Sequence, residues 1–258
     1  MRVLRAEIDG RAARADELVY PALVNYGHFT SMQVRKHAAR GLDLHLERLD
    51  AATRELFGVA IDRGLVRRHI RHALGQDVGD ASVRVNVFRP DPGTAPSIMV
   101  TVSPPAEAPS TPRRLQSFTY RRTMPHIKHT GTFGQIHYRQ LAERNGFDDA
   151  LFVYDGIVSE TAIANVACCR DGVVSWPDAP SLHGICMQLL EGVLSAAGLE
   201  TRRTSIGLAD FRLHDAVFLT NSIGITPLGL VDEQVLPVDT EIMKTVADIY
   251  QHIAWQPV

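Results

Sequence analysis

The stretch Ser103-Pro104-Pro105-Ala106-Glu107-Ala108-Pro109-Ser110-Thr111-Pro112 decides how the chain divides. Its four prolines each fix φ and remove a backbone donor, so neither a helix nor a central strand is expected here. Set among small polar residues, they read as an extended connector. The expected organisation is an N-terminal domain over 1–105, a linker over 106–114 and a C-terminal domain over 115–258, both domains of ordinary size.

Outward from the connector, helix and strand signals alternate on both sides. On the N-terminal side, Phe29–Val34 and the β-branched runs Ser82–Phe88 and Ser97–Val102 read as strands, the last two separated by the turn signal Pro90-Asp91-Pro92-Gly93. Leu42, Leu46, Leu49, Thr53 and Leu56 recur at helical spacing and predict a helix over Leu42–Phe57, with Gly58 as its C-cap. A second amphipathic helix is expected over Leu65–Leu74. On the C-terminal side, Leu115–Tyr120 and Ala150–Tyr154 read as strands around a helix over Gly134–Arg144. Asp155-Gly156 and Asp171-Gly172 are hairpin turns, which makes Val158–Cys169 and Val173–Trp176 antiparallel neighbours. A helix over Ile185–Ala197, a buried strand over Val217–Thr220 and a final helix over Thr240–His252 complete an α+β pattern.

Composition narrows the function classes. The 258 residues are 45% hydrophobic and 22% charged, near the globular average, which excludes disordered, collagen-like and coiled-coil chains. Against 29 acidic residues stand 27 basic ones, so no uniform basic face offers itself to a nucleic acid. No apolar run reaches the length of a membrane helix. Met1–Glu7 acquires an acid early and lacks the apolar stretch of a signal peptide. The cysteines Cys168, Cys169 and Cys186 are too few for a disulfide framework or a zinc site, and a reducing cytoplasm is expected.

Only three of the basic residues are lysines: Lys36, Lys128 and Lys244. Lys128 lies in Met124-Pro125-His126-Ile127-Lys128-His129-Thr130-Gly131, a short extended stretch before a turn. A partly desolvated lysine sheds its proton more readily and becomes a nucleophile toward carbonyls, suited to a Schiff base. A surface lysine paired with a carboxylate has the same local sequence. Glu160 sits in the apolar stretch Gly156–Val166, where a buried carboxylate needs a cationic or hydrogen-bonded partner. A pyridinium nitrogen is one such partner, and a protonated ring is the better electron sink; a strand-edge glutamate in water is the alternative. Anion-binding candidates are Gly184-Ile185-Cys186 at a helix start, Thr220-Asn221-Ser222 at a strand end, and Arg48 in His45-Leu46-Glu47-Arg48-Leu49. Taken singly, these are equally a cap, a turn and a solvated helix face.

Together these pieces resemble the class IV aminotransferases, the fold-type IV pyridoxal-phosphate enzymes. That family includes branched-chain and D-amino-acid aminotransferases and 4-amino-4-deoxychorismate lyases. The resemblance runs in order through Tyr26-Gly27-His28-Phe29-Thr30, Leu44–Leu49, Lys128 with its following helix, Asp149-Ala150-Leu151-Phe152, Val158-Ser159-Glu160 with Asn165, Leu182-His183-Gly184-Ile185, and Asp215–Thr220. It implies two α/β domains with pyridoxal 5'-phosphate at their junction, in a homodimer whose partner subunit helps close the site. Lys128 takes the place of the cofactor-bound lysine and Glu160 that of the partner of the pyridine nitrogen. Arg48, Ile185, Cys186 and Thr220 fall where the family holds the phosphate, and Thr30 and Arg84 on segments tied to the substrate, Arg84 as a carboxylate binder. The implied activity is amino-group transfer between an amino acid and a 2-oxo acid. The lyase reaction releasing pyruvate is the alternative, since Phe29-Thr30-Ser31 follows the lyase pattern more closely; a non-catalytic relative is the other. Two departures motivate the latter: Phe133 stands where branched-chain members place a tyrosine, and Cys186 where many have a threonine.

Other clusters are expected to be structural. His126 and His129 would point to opposite faces of a strand, and no metal site is expected. Arg67, Arg68, His69, Arg71 and His72 form the densest basic run, read as the solvated face of the second helix. Cys168 and Cys169 should face opposite sides of a strand, the inward one being a packing residue.

Overall fold

A computed structural model describes residues 2–258. In chain order the elements are β1 (Arg5–Ile8), β2 (Arg11–Ala12), α1 (Val19–Leu23), β3 (Gly27–Arg35), β4 (Ala38–Arg40), α2 (Leu42–Phe57), α3 (Arg63–Leu74), β5 (Ala81–Phe88), β6 (Ser97–Ser103) and β7 (Arg113–Thr119). There follow α4 (Phe133–Arg144), β8 (Asp149–Tyr154), β9 (Ile157–Thr161), β10 (Asn165–Arg170), β11 (Val173–Pro177), α5 (Ile185–Val193) and β12 (Glu200–Thr204). The chain closes with β13 (Ala216–Asn221), β14 (Gly224–Val231), β15 (Gln234–Val235), α6 (Thr240–Gln251) and β16 (Trp255–Pro257). Among the described residues, no helix is long and apolar enough to cross a membrane.

The residues fall into two compact units. The first is the chain through Ala106 together with Ile127–Gly131 and Ala254–Val258; the second is Glu107–His126 with Thr132–Ile253. The proline-rich stretch is irregular up to β7, but the Lys128 segment and the C-terminal strand both belong with the first unit rather than the second.

The first unit is an antiparallel sheet in the order β16-β4-β3-β5-β6-β1-β2. Val83, Val85 and Val87 of β5 face a core shared with Leu42, Leu46 and Leu49 of α2 and Val66, Ile70 and Leu74 of α3. The period of two sends Ser82, Arg84 and Asn86 to the other face. Helix α2 ends as its sequence predicts: Gly58 takes φ 70° and its N–H donates to the Arg54 carbonyl. Asp62 caps α3 by accepting from the N–H groups of Gly64 and Leu65. The basic run on α3 is tied down locally, Arg67 to Asp43, Arg68 to Asp62 and His72 to Glu7.

In the second unit, strands β10-β13-β14-β7-β8-β9 curl until β9 meets β10 again, at the pair Glu160–Asn165. β11 and β12 extend the sheet from β10. The inside is filled by side chains including Leu115, Val158, Cys168, Phe211 and Val217. On the outside α5 and α6 pack over Cys169, Trp176 and Phe218. Because both faces of β10 are covered, both Cys168 and Cys169 are packing residues, not one of the two.

Two expectations need correction. Val158–Cys169 is not a single strand: it breaks at Ala162–Ala164, where the Thr161 hydroxyl accepts hydrogen bonds from the N–H groups of Ile163 and Ala164. A threonine side chain thus makes the turn that no glycine or proline announces. The helix expected through Ala197 is also shorter, stopping at Val193 before a 3-10 turn over Ser195–Ala197 that ends at Gly198.

Candidate active site

Lys128 is held by backbone bonding to β3 in the first unit. The Phe29 N–H donates to the Lys128 carbonyl at 2.8 Å, and the Thr130 N–H donates to the Gly27 carbonyl at 2.9 Å. Thr130 is fastened again by its hydroxyl to the Asn25 carbonyl at 2.7 Å, and Asn25 Nδ2 donates back to the Thr130 carbonyl at 3.2 Å. With its backbone fixed, Lys128 places Nζ 5.0 Å from the centre of the Phe29 ring, within cation–π range.

Phe29 also carries the guanidinium of Arg84, whose Cζ lies 3.5 Å from the ring centre. The strand register explains the meeting, because Phe29 stands opposite Asn86 across β3 and β5, and Ser31 opposite Arg84. Arg84 Nε donates to Asn86 Oδ1 at 2.9 Å, which aims the guanidinium along the sheet. Burial lowers its pKa to about 10, and no carboxylate among the described residues pairs with it. Arg84 and Asn86 line a cavity of about 400 Å³ with Leu18, Tyr26, Phe88 and Thr130.

Thr30 does not share that face. The pleat turns it toward α2, where it is fully buried and its hydroxyl lies 2.6 Å from His45 Nδ1. Burial, reinforced by the positive charges of Arg48 and Lys128, pushes the His45 pKa down to about 3, so its ring is neutral at physiological pH. The structure therefore gathers Lys128, Arg48 and Thr30 around His45, and Lys128 and Arg84 around Phe29. Neither His45 nor Phe29 was singled out by sequence.

In the second unit, Glu160, Asn165 and Thr220 stand in one row across β9, β10 and β13. Each is buried. Leu182 locks the row to the approach of α5: its N–H donates to Glu160 Oε2 at 3.1 Å, and its carbonyl accepts from Asn165 Nδ2 at 2.6 Å. Gly184 follows as the N-cap of α5 and brings no capping side chain, so the helix opens with Ile185 and Cys186. Thr220 Oγ1 is buried without a hydrogen-bond partner. Arg122, on the loop after β7, puts Nη1 3.9 Å from Glu160 Oε1, both side chains almost wholly buried. The row thus brings together four sequence candidates, Glu160, Thr220, Ile185 and Cys186. Arg122 was missed, and Asn165 was quoted only as part of a motif; a row across three strands has no signature in local sequence. Phe133 opens α4 with its ring 84% exposed, stacked on His137, and supplies no phenol.

The sequence pattern of the family described as amino-transferase class IV matches residues 27–230. The chain belongs to the class IV aminotransferases. Its fold agrees with this class. A branched-chain aminotransferase from Thermoproteus uzoniensis, solved with norvaline, is 21% identical and superposes with a TM-score of 0.82 over 97% of this chain and 94% of that one. A hypothetical aminotransferase from Mycobacterium tuberculosis in its PLP-bound form is 22% identical, with a TM-score of 0.81 over 92% and 91%. A putative 4-amino-4-deoxychorismate lyase from Legionella pneumophila is 21% identical, with a TM-score of 0.81 over 91% and 93%. No curated protein matches the class IV chain.

Proposed function

We propose that this class IV chain is a pyridoxal-phosphate-dependent aminotransferase, with Lys128 as the residue that binds the cofactor covalently and moves the proton. The observation that carries this reading is the buried row Glu160–Asn165–Thr220 ending at the start of α5. It presents an acid at one end, and a partnerless buried hydroxyl with a helix N-terminus at the other. That donor set fits a molecule with a basic ring nitrogen and a phosphate.

Bound there, pyridoxal phosphate supplies an electron sink for the bonds of the substrate's α-carbon. Glu160 holds the ring nitrogen protonated. Thr220 Oγ1 and the backbone of Ile185 and Cys186 take the phosphate, so the departure at Cys186 costs a side-chain hydroxyl but no N–H group. Arg48 adds positive charge. Lys128 Nζ, its backbone fixed on β3, would as a free amine take the proton from the substrate's α-carbon and give it back. Arg84, desolvated and without an acid of its own, receives a substrate carboxylate. The resemblance further leads us to propose a homodimer, which light scattering tests as twice the chain's mass.

Reconstitution with pyridoxal phosphate tests the cofactor assignment. The wild type should gain a visible absorption band that borohydride removes, and Lys128→Ala should gain none and have no transamination activity. A colourless wild type, or an active Lys128→Ala, rejects the reading. A second reading keeps the cofactor and changes the reaction to the lyase type, motivated by the sequence likeness of Phe29-Thr30-Ser31 to the lyase pattern and not by any contact of the buried Thr30. Release of pyruvate from aminodeoxychorismate without any 2-oxo acid acceptor selects it over transamination.

A further inference from the structure

Glu160 is 6% exposed, and a carboxylate so buried needs a cationic or hydrogen-bonding partner if it is to stay charged. A neutral acid cannot keep a ring nitrogen protonated, so something must hold the charge on it. The Leu182 N–H does part of this at Oε2, 3.1 Å away. The guanidinium of Arg122 stands on the other oxygen's side, with Nη1 3.9 Å from Oε1, beyond hydrogen-bond length but close enough for strong attraction in a water-poor interior. Arg122 is itself buried and gives up hydration to sit there. The Glu160 carboxylate acts on Arg122 by charge, and the neighbouring phenol of Tyr120, its pKa raised by burial, stays neutral.

We propose that Arg122 is a positioning residue that keeps the Glu160 carboxylate ionised and oriented to carry the protonated ring nitrogen of pyridoxal phosphate. The inference rests on the reading of Glu160 given above. It adds that the acid works as a pair with an arginine that never touches the substrate. A guanidinium suits the place because it stays charged when buried, where a lysine would shed its proton more readily.

The test is cofactor binding to the apoprotein, read by calorimetry with two ligands: pyridoxal phosphate and its 1-deaza analogue, in which carbon replaces the ring nitrogen. Wild type should prefer pyridoxal phosphate. Arg122→Met should weaken pyridoxal phosphate by about tenfold or more, the size of the charge-assisted hydrogen bond that an ionised Glu160 would make to the ring nitrogen, and leave the analogue's affinity unchanged. Arg122→Lys should recover part of the loss. In a Glu160→Gln background, Arg122→Met should cause no further loss of pyridoxal phosphate. Equal weakening of both ligands by Arg122→Met, or of neither, overturns the role of Arg122. A wild type without preference between the ligands overturns the Glu160 reading instead, and a wild type that binds neither overturns the cofactor assignment.

Discussion

Asn165 and Gly184 touch so closely that no side chain fits between them: a methyl group on Gly184 would overlap Asn165 Oδ1. The glycine is not needed for its backbone, which has the ordinary extended values φ −63° and ψ 145°. It is needed for space, because Asn165 Nδ2 is committed to the Leu182 carbonyl and holds the amide in place. Gly184→Ala should therefore cost about 1–3 kcal/mol of stability by overpacking. It should also weaken pyridoxal phosphate by displacing the start of α5. Urea unfolding and calorimetric titration check both effects, and the double variant Gly184→Ala with Asn165→Ala should recover part of the lost cofactor affinity.

Arg84 is laid on Phe29 and aimed by Asn86, and no acid among the described residues pairs with it. Arg84→Gln should raise KM for carboxylate-bearing substrates by roughly tenfold to a hundredfold, the range for a hydrogen bond to a charged group. Cofactor affinity should stay unchanged. Steady-state kinetics beside a cofactor titration separate these effects. Equal losses in both would move Arg84 out of the substrate pocket.

His28 and His45 are both buried on the α2 side of β3, and burial lowers their pKa values to about 4 and about 3. The unfolded chain binds protons at these histidines at an ordinary value near 6.5. The unfolded state therefore takes up more protons as pH falls below that value. Stability is full above about pH 6.5 and is lost on acidification toward the folded values, by up to about 1.4 kcal/mol per pH unit for each ring. Thr53 donates its hydroxyl proton to the Leu49 carbonyl, so His28 Nε2 must donate to Thr53 Oγ1. That leaves His28 Nδ1 an acceptor, buried without a partner. His28→Leu should flatten the acid limb of a pH–stability profile and leave stability at pH 8 equal or higher, because it removes an unsatisfied polar atom.

How much of this was legible in sequence follows from how local each cause is. Helix α2 was readable because its leucine spacing and Gly58 lie within the element they define. The break between β9 and β10 was not, since a threonine hydroxyl makes it. β16 was missed because what makes Trp255–Pro257 a strand is Ala38–Arg40, far away in the chain. The same holds in the candidate site. Lys128 stood out by its rarity and Glu160 by its apolar surroundings, but Arg122 is adjacent to Arg121 and nothing in that pair marks which one turns inward. Thr30 was read onto the substrate side, whereas the pleat gives it to His45.

Gly134 gives a last test, because general rules and this structure predict opposite signs. It is the second residue of α4, the helix that follows Lys128, and alanine in place of a helical glycine ordinarily stabilises, by up to about 1 kcal/mol in a helix interior. Here a methyl group would overlap the Tyr120 hydroxyl and crowd its ring carbons. That ring is not free to move away: it packs edge-on against Phe152 at 4.8 Å between centres and against Tyr138 at 5.1 Å. Gly134→Ala should therefore destabilise by about 1–3 kcal/mol. Tyr120→Ala alone leaves a cavity, but it should make Gly134→Ala neutral or stabilising when the two are combined. Thermal unfolding of the four proteins in that cycle measures the coupling, and a stabilising Gly134→Ala in the wild-type background would show that Tyr120 yields to the helix.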